Sequence, residues 1–264
     1  MPWIWIAGKP RMADERMFFE ACWPAPGRVK AVVTTRSGGC SAGPWESFNL
    51  GMHVGDDAAA VARNRELLCR RLGLPVSPQW LRQVHGRIVV DAQADGVLRE
   101  GDAAYTDRPD TVCAILTADC LPVVIADRKG TETAVAHCGW RGLASGVLEA
   151  TLARFRSPAA ELQAWLGPAI SQAAFEVGAE VRAAFLHRAG HRSARDAVAA
   201  AFLPASDGKY HADLYAIARQ VLEAYGVRRI SGGGCCTFAE RERFFSYRRD
   251  GFTGRMVTLA WIGR

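Results

Sequence analysis

The sequence predicts an α/β fold: a single domain with a layered mixed β-sheet and flanking helices. Strand-like apolar runs alternate along the chain with amphipathic helical segments, which is the pattern of α/β folds. The chain has 264 residues, of which 49% are hydrophobic, enough for one large core. No linker or internal repeat divides it. We expect residues 1–27 to form an N-terminal extension and residues 28–264 to form the domain.

Strands are predicted where β-branched and other apolar residues run together between turn residues. The first, at residues 29–36 (VKAVVTTR), ends at a Ser-Gly-Gly turn. Further strands are expected at residues 87–90 (RIVV), 111–116 (TVCAIL), 121–127 (LPVVIAD) and 132–137 (ETAVAH).

Helices are predicted where apolar residues recur at intervals of three and four. Residues 56–75 begin with an Asp cap and end at Gly73 and Pro75, which are typical start and stop signals. Two more helices are expected at residues 143–155 and 213–227, each with one apolar face.

The charge pattern narrows the class of partner. The net charge is +6, but the arginines are scattered in ones and twos, so we expect no nucleic acid as partner and favour a small anionic substrate such as phosphate. No apolar run is long enough to span a membrane, and the N-terminus does not have the pattern of a signal peptide. Eight cysteines without a disulfide-framework spacing are typical of reduced thiols, which predicts a cytoplasmic protein.

Three residues with metal-binding side chains lie at the edges of the apolar strands. His85 precedes the strand at 87–90, Cys120 precedes the strand at 121–127, and His137 ends the strand at 132–137. Two histidines and one cysteine, with a fourth position for water, form a known catalytic zinc ligand set. The spacing alone is not diagnostic, because a buried cysteine also serves as a small hydrophobic residue. Both interpretations stay open at this point.

Other histidines and arginines have simpler explanations. His187 and His191 are four residues apart, but the glycine between them favours a surface position at a fraying helix end. His53 lies in a Gly- and Asp-rich turn, where it can bond to the backbone. The segment 246–255 (SYRRDGFTGR) is either an exposed basic hairpin or an anion site, since the guanidinium fork suits phosphate. The same two interpretations apply to Arg36 in TTRSGG.

Many motifs in a fixed order relate the chain to a known family. They are TTRSGG, SFNLGMHVGDD, QVHG, ILTADCLPVVI, AHCGWRGLASGVLEAT, AWLGPAI, FEVG and FFSYRRDGFTGRM. With these motifs the chain resembles the YfiH-type proteins, a laccase-domain or multicopper polyphenol oxidase family since reinterpreted as zinc-containing purine nucleoside phosphorylases. One departure is Cys138, where the family usually has alanine, which puts a second and potentially reactive thiol beside a metal ligand.

The resemblance implies a fold, a metal and an activity. The fold is the family's single α/β domain, and His85, Cys120 and His137 match the family's zinc ligands. Copper is a possible occupant of the same site, because Cu²⁺ outcompetes zinc at nitrogen-rich sites. The implied activity is phosphorolysis of adenosine, inosine, guanosine and 5′-methylthioadenosine, together with deamination of adenosine. The implied partners are purine nucleosides and phosphate, with the protein a monomer or a homodimer and no membrane involved.

Residues in the shared motifs are candidates for the substrate contacts. Asp119 is expected to support the ligands or to transfer a proton, and it joins Cys120 and His85 as an expected catalytic residue. The candidates for phosphate or substrate contacts are Arg36, His53, Arg248 and Arg249, with Asn49 as a possible sugar contact.

Three other function classes remain open. A copper-dependent polyphenol oxidase normally needs H-x-H pairs, yet this chain has six histidines and no such pair, so phenol oxidation is expected as a side activity at most. A metal-free Cys–His hydrolase would use Cys120 as the nucleophile and His85 or His137 as the base. The third class is an amidase acting on nucleotide-linked cell-wall precursors.

Overall fold

Two β-sheets packed face to face form the centre of the molecule. The structure is a computed structural model that describes residues 17–189 and 192–263. Its strands, in chain order, are β1 (Phe18–Glu20), β2 (Val29–Thr34), β3 (Leu81–Arg82), β4 (Val89–Asp91), β5 (Arg99–Glu100), β6 (Ala103–Thr106), β7 (Cys113–Thr117), β8 (Leu121–Asp127), β9 (Thr133–Cys138), β10 (Leu162–Leu166), β11 (Glu176–Val177), β12 (Phe202–Pro204), β13 (Tyr210–Ala212), β14 (Arg229–Gly232) and β15 (Met256–Ile262).

Helices cover the outer faces of these sheets. In chain order they are α1 (Ala58–Leu72), α2 (Trp140–Ser145), α3 (Val147–Leu152), α4 (Ala179–Arg188), α5 (Arg192–Ala200), α6 (Leu214–Ala224) and α7 (Tyr247–Asp250). Helix α1 begins at the side chain of Asp57, which accepts hydrogen bonds from the backbone of Ala59 and Ala60, and it ends at Gly73 with φ 57°. A residue without a Cβ tolerates this left-handed conformation, which explains the glycine there.

The two large sheets differ in strand direction. The four-stranded sheet, in the order β1-β2-β15-β7, is antiparallel throughout. The six-stranded sheet, in the order β14-β10-β8-β9-β6-β4, is mixed, because its two outer pairs are parallel and its inner pairs antiparallel. Two small sheets, β11-β13-β12 and β3-β5, lie outside them. The chain therefore passes from one large sheet to the other between β7 and β8.

Apolar side chains fill three interfaces between four layers. Between the sheets, Ile115 and Ala260 of one pack with Val124 and Val135 of the other. The opposite face of the six-stranded sheet packs against α2, α3, α4 and α6. The outer face of the four-stranded sheet packs against α1 through residues such as Leu68. The predicted fold class, a layered mixed α/β domain, is confirmed.

Most predicted elements form, and β8 has the predicted bounds. The single helix predicted over residues 143–155 is wrong. Two short helices, α2 and α3, replace it, because Gly146 adopts φ 98° and interrupts the helical path. The apolar spacing of the sequence continues across Gly146, so the hydrophobic periodicity did not indicate the break between the two helices.

The expected N-terminal extension overlaps with the first sheet. Phe19 of β1 pairs with Val33 of β2, so residues 18–20 form an edge strand. Residues 1–16 and His191 lie outside the described residues. All eight cysteines are described, and each is a free thiol. Within the described ranges, no helix is long and apolar enough to cross a membrane.

Candidate metal centre

Cys120 and His137 meet at one end of the six-stranded sheet. Cys120 immediately precedes β8, and His137 is the penultimate residue of β9. These strands are antiparallel neighbours, with Leu121 opposite Cys138 and Pro122 opposite His137. The start of one strand therefore lies beside the end of the other, which is why residues 17 positions apart in sequence come together.

His85 reaches the same place from the loop between β3 and β4. It has φ 59°, a conformation that is uncommon for a residue with a side chain. The carboxylate of Asp102 stabilises this loop by accepting hydrogen bonds from three consecutive backbone N–H groups. The distances are 3.2 Å from Val84, 2.9 Å from His85 and 2.7 Å from Gly86.

The same carboxylate orients the imidazole of His137. Oδ1 of Asp102 lies 2.9 Å from Nδ1 of His137, and the backbone N–H of His137 donates to the carbonyl oxygen of Asp102 at 2.7 Å. Asp102 is completely buried. Because Nδ1 faces a carboxylate, Nε2 is the nitrogen left for a metal. Sequence reasoning missed Asp102, although an acidic residue directly before an apolar strand was a usable signal.

The three donor groups are close enough for one metal ion. Donor atoms of His85, Cys120 and His137 all lie within 4.8 Å of one another, and the imidazole centroids are 4.7 Å apart. Sγ of Cys120 is 4.0 Å from Nε2 of His85. Tetrahedral zinc separates such ligand atoms by about 3.5 Å, so a small side-chain rotation closes the set. The expected metal ligands are therefore together, and their donors fit zinc.

Gly139 leaves the space that this cluster needs. A Cβ on this residue would lie 2.8 Å from Sγ of Cys120 and 3.3 Å from Cδ2 of His85. The first distance is shorter than any ordinary contact, so a larger residue would displace the thiol.

The electrostatics favour an ionised thiol. Burial raises the pKa of Cys120, but the positive charge of His137 and hydrogen bonds from His137 and His85 outweigh it and lower the pKa to about 6. Burial lowers the pKa of His137, whereas the Cys120 charge and the Asp102 hydrogen bond raise it, to about 9. Burial also raises the pKa of Asp102, and hydrogen bonds from His137 and Gly86 lower it overall. A metal ligand must be deprotonated at sulfur, and this thiol meets that requirement.

Asp119 connects the turn before Cys120 to the C-terminal part of the chain. It is buried and has φ 89°. Its Oδ1 accepts a hydrogen bond from Oγ1 of Thr237 at 2.6 Å, and its Oδ2 accepts one from the backbone N–H of Arg248 at 2.6 Å. Both oxygens are thus engaged within the protein, one residue away from a donor of the metal site.

Asn49 and Arg249 have their hydrogen bonds satisfied internally. Asn49 is completely buried, accepts from the backbone of Gly51 and Arg255, and donates to Gly51 and Asp56. Arg249 uses all five of its N–H groups. Its acceptors are the carbonyl oxygens of Thr237, Phe238 and Phe244 and the two carboxylate oxygens of Asp250. A substrate bound by either residue would have to replace one of these bonds.

The remaining expected contacts lie around the site. Arg36 donates to the carbonyl oxygens of Glu46 and Arg241. Arg248 is exposed and donates to the carbonyl oxygen of Glu176 at 2.8 Å. Its segment does not form the basic hairpin considered from the sequence, because residues 247–250 form the short helix α7. The His53 side chain is exposed overall. Partial burial of its imidazole, together with the charges of Arg255 and Arg65, lowers its pKa. His187 is exposed, as expected.

Cys138 is not a reactive thiol, contrary to expectation. Its side chain is completely buried in the core between the six-stranded sheet and the helices. Burial, followed by the negative charge of Glu149, raises its pKa well above the ordinary value. The residue therefore acts as a small hydrophobic side chain, slightly larger than alanine.

Curated relatives cover nearly the whole chain. A Pseudomonas aeruginosa protein named purine nucleoside phosphorylase is 53% identical over 241 residues, which are 91% of this chain and 96% of the relative. The Escherichia coli protein named purine nucleoside phosphorylase YfiH is 48% identical over the same shares of the two chains.

Solved structures agree with the fold. A Neisseria meningitidis protein has a TM-score of 0.88 and 50% identity and covers 94% of this chain and 99% of its own. YlmD from Geobacillus stearothermophilus has a TM-score of 0.86 and 29% identity, and the match covers 94% of this chain and 97% of YlmD. The model of the family described as "Multi-copper polyphenol oxidoreductase laccase" matches residues 30–263. The chain therefore belongs to this family, the YfiH-type laccase-domain proteins.

Proposed function

We propose that the protein is a zinc-dependent purine nucleoside phosphorylase. The observation that carries this proposal is the His85–Cys120–His137 cluster, whose two histidines are both fixed by the buried carboxylate of Asp102. A structural cysteine does not need such an arrangement, whereas a metal ligand set does. The names of the relatives support the reaction class.

The proposed reaction exchanges one bond at C1′ of the sugar. An oxygen of phosphate forms a bond to C1′ while the bond from C1′ to N9 of the purine breaks, and the base leaves with the electron pair and then takes up a proton. Zinc in this site supplies Lewis-acid chemistry that stabilises developing negative charge. Asp102 holds both histidines in place, and Asp119 keeps the turn before Cys120 attached to α7. Arg248 and His53, both exposed, are the proposed substrate contacts.

Adenosine, inosine, guanosine and 5′-methylthioadenosine are the proposed substrates. Deamination of adenosine is proposed as a second reaction, in which water adds at C6 of the purine and ammonia leaves. We assign Asn49, Arg36 and Arg249 to shaping the site, because their polar groups already bond to the protein.

Product analysis with adenosine tests the proposal. Purified protein of measured metal content is incubated with adenosine, with and without phosphate. We expect adenine and ribose 1-phosphate only when phosphate is present, and no product from His137→Ala, which also loses zinc. His187→Ala is the matched control, because His187 is exposed on α4. Absence of any purine base from zinc-loaded protein would refute the phosphorylase, and inosine alone would make the enzyme a deaminase.

One observation favours a second candidate, a metal-free cysteine hydrolase. Cys120, His137 and Asp102 follow one another as thiolate, imidazole and carboxylate, which is the order of a nucleophile, a base and its orienting group. Alkylation separates the two candidates. The metalloenzyme should keep its activity with iodoacetamide when zinc is bound, whereas the hydrolase should lose it whether or not metal is present. The proposed targets of the cysteine hydrolase are amide bonds of cell-wall precursors.

The identity of the metal is a separate question from the reaction. We propose zinc as the resident ion and copper as a competitor, with weak phenol oxidation only in the copper-loaded form. Mass spectrometry of the metal in protein purified without added metal tests this, since a stoichiometric copper content would contradict it.

A further inference from the structure

Two arginines that contact the loop at residues 49–53 are partly buried without a carboxylate partner among the described residues. Arg65 and Arg255 are half-buried, and neither forms an ion pair with any residue of the described ranges. Burial lowers the pKa of Arg65 to about 10 and also lowers that of Arg255. Partial burial of an uncompensated charge costs free energy, so such a pair is typical of a site that receives an anion.

Residues 49–53 form a short loop that contacts both arginines. Arg65 donates from Nε and Nη2 to the carbonyl oxygen of Leu50, at 3.0 and 2.8 Å, and stacks on Trp80 with its guanidinium carbon 3.7 Å from the ring centroid. The backbone N–H of Leu50 donates to the carbonyl oxygen of Arg255. A Cβ on Gly51 would lie 2.8 Å from Cγ of Arg255, so the stem of this arginine packs directly against the glycine.

Arg255 still has N–H groups to offer. Its Nη1 donates to the carbonyl oxygens of Thr253 and Gly254, both at 3.0 Å, while Nε and Nη2 bond to no residue that the structure describes. Arg255 lies close to the metal centre, because it neighbours the ring of Tyr247, and the residue after that tyrosine, Arg248, donates its backbone N–H to Asp119 directly before Cys120. The ring of Tyr247, 61% exposed, lies 5.8 Å from the guanidinium carbon and borders the same space.

His53 adds a third basic group to this pair. The loop that contacts the two arginines ends at this residue, and partial burial, followed by the charges of Arg255 and Arg65, lowers its pKa. His53 lies two residues after Gly51, which packs against Arg255, so it can bind an anion jointly with the arginines, because an anion relieves their mutual repulsion.

We propose that Arg255, Arg65 and His53 form an oxyanion subsite next to Cys120 whose ligand is inorganic phosphate. This inference rests on the proposed phosphorolysis and identifies the residues that hold the second substrate. Guanidinium groups bind phosphate through two parallel hydrogen bonds, and Nε with Nη2 of Arg255 present that pair of donors. The subsite therefore places the attacking phosphate beside the metal centre.

Direct binding of inorganic phosphate tests the subsite without turnover. Calorimetry on zinc-loaded protein is expected to give an affinity that falls about 10- to 100-fold in Arg255→Gln and less in Arg255→Lys. Gly51→Ala, which displaces the stem of Arg255, is expected to weaken phosphate binding as well. Arg108→Gln is the matched control, because it removes an exposed arginine at the opposite end of β6. Unchanged phosphate affinity in Arg255→Gln at normal zinc content would overturn the proposal.

Chemical footprinting of the wild-type protein tests the proposal even if a variant fails to fold. Phenylglyoxal modifies accessible arginines, and phosphate is expected to protect Arg255 selectively, as seen by peptide mass spectrometry. Equal labelling with and without phosphate would overturn the proposal. Arg255-dependent phosphate binding without release of any purine base would keep the subsite and refute the phosphorylase. Phosphate-dependent base release that Arg255→Gln leaves unchanged would refute the subsite and keep the phosphorylase.

Discussion

The carboxylate of Asp102 lies 2.9 Å from Nδ1 of His137, and both side chains are almost completely excluded from solvent. The same carboxylate accepts a hydrogen bond from the backbone N–H of His85, so one buried acid positions two of the three candidate metal ligands. The third, Cys120, is opposite the end of β9 and is positioned by the strand register. Metal binding should therefore depend on a residue that does not touch the metal.

Asp102→Asn is expected to weaken zinc binding by about 10- to 100-fold. Only the oxygen of an amide accepts hydrogen bonds, so asparagine cannot accept the bond from His137 together with all three bonds from the loop. Competition with a chelator measures the affinity. Asp91→Asn is the control, since Asp91 is an exposed acid at the far end of the same sheet. Wild-type zinc affinity in Asp102→Asn would show that the donors are held by other contacts.

Gly139→Ala is expected to lower the zinc content of the purified protein, because its Cβ would collide with Sγ of Cys120. Gly234→Ala is a matched control, since no atom lies within 4 Å of the Cβ that it adds. Metal analysis of both variants after the same purification measures the effect. Full zinc occupancy in Gly139→Ala would mean that the thiol moves aside without loss of ligation.

Alkylation of Cys120 in metal-free protein should depend on pH with a midpoint near its pKa of about 6. A thiol reacts as the thiolate, so a lowered pKa means that reaction is already fast at pH 7 and slows as the pH falls below 6. Iodoacetamide rates followed by peptide mass spectrometry give the midpoint. Buried Cys138 should stay unlabelled and serves as an internal reference. A midpoint near 8.5 would indicate that the imidazoles do not stabilise the thiolate.

Glu132→Gln is expected to destabilise the fold by about 2–4 kcal/mol, measured by denaturant unfolding. The buried carboxylate accepts hydrogen bonds from Tyr105 (2.5 Å), from the backbone of Arg156 (2.8 Å) and from the backbone and hydroxyl of Ser157. Glu161→Gln, at an exposed ion pair, is the control and should change stability by less than about 1 kcal/mol.

The same residue gives stability a pH dependence. Burial raises the pKa of Glu132, but the hydrogen bonds from Tyr105, Arg156 and Ser157 lower it overall. A group whose pKa is lowered on folding stabilises the protein above its unfolded pKa of about 4.3. This contribution is lost as the pH falls through the lower, folded pKa. The difference in stability between the wild type and Glu132→Gln should therefore shrink below about pH 4.

The positions of Cys120 and His137 were predictable because they depend on local signals. Each interrupts or ends a continuous apolar run, and β8 and β9 form almost as the sequence indicates. Two short antiparallel strands joined by a turn bring opposite ends together, so the pairing of these residues follows from topology alone. His85 was also a candidate, because it precedes a predicted strand, although its left-handed backbone conformation has no local signature.

The positions that sequence reasoning missed depend on distant partners. Asp102 bonds to residues 16 to 35 positions away, so its position before an apolar strand marks it as unusual but does not reveal its partners. Arg249 resembles an anion-binding arginine until its acceptors are known, and all of them are supplied by the fold. The break at Gly146 is invisible to periodicity, because it changes the backbone path and not the apolar spacing.

The passage of the chain between the two sheets has a consequence for chain entropy. Cys120 lies in the connection from β7 to β8, and His85 and His137 lie 35 and 17 residues away on other segments. An ion held by all three closes two chain loops, as a disulfide does, and removes freedom from the unfolded ensemble. A metal ion bound by these three residues would thus cross-link the chain, and a chelator should lower the melting temperature of the whole domain.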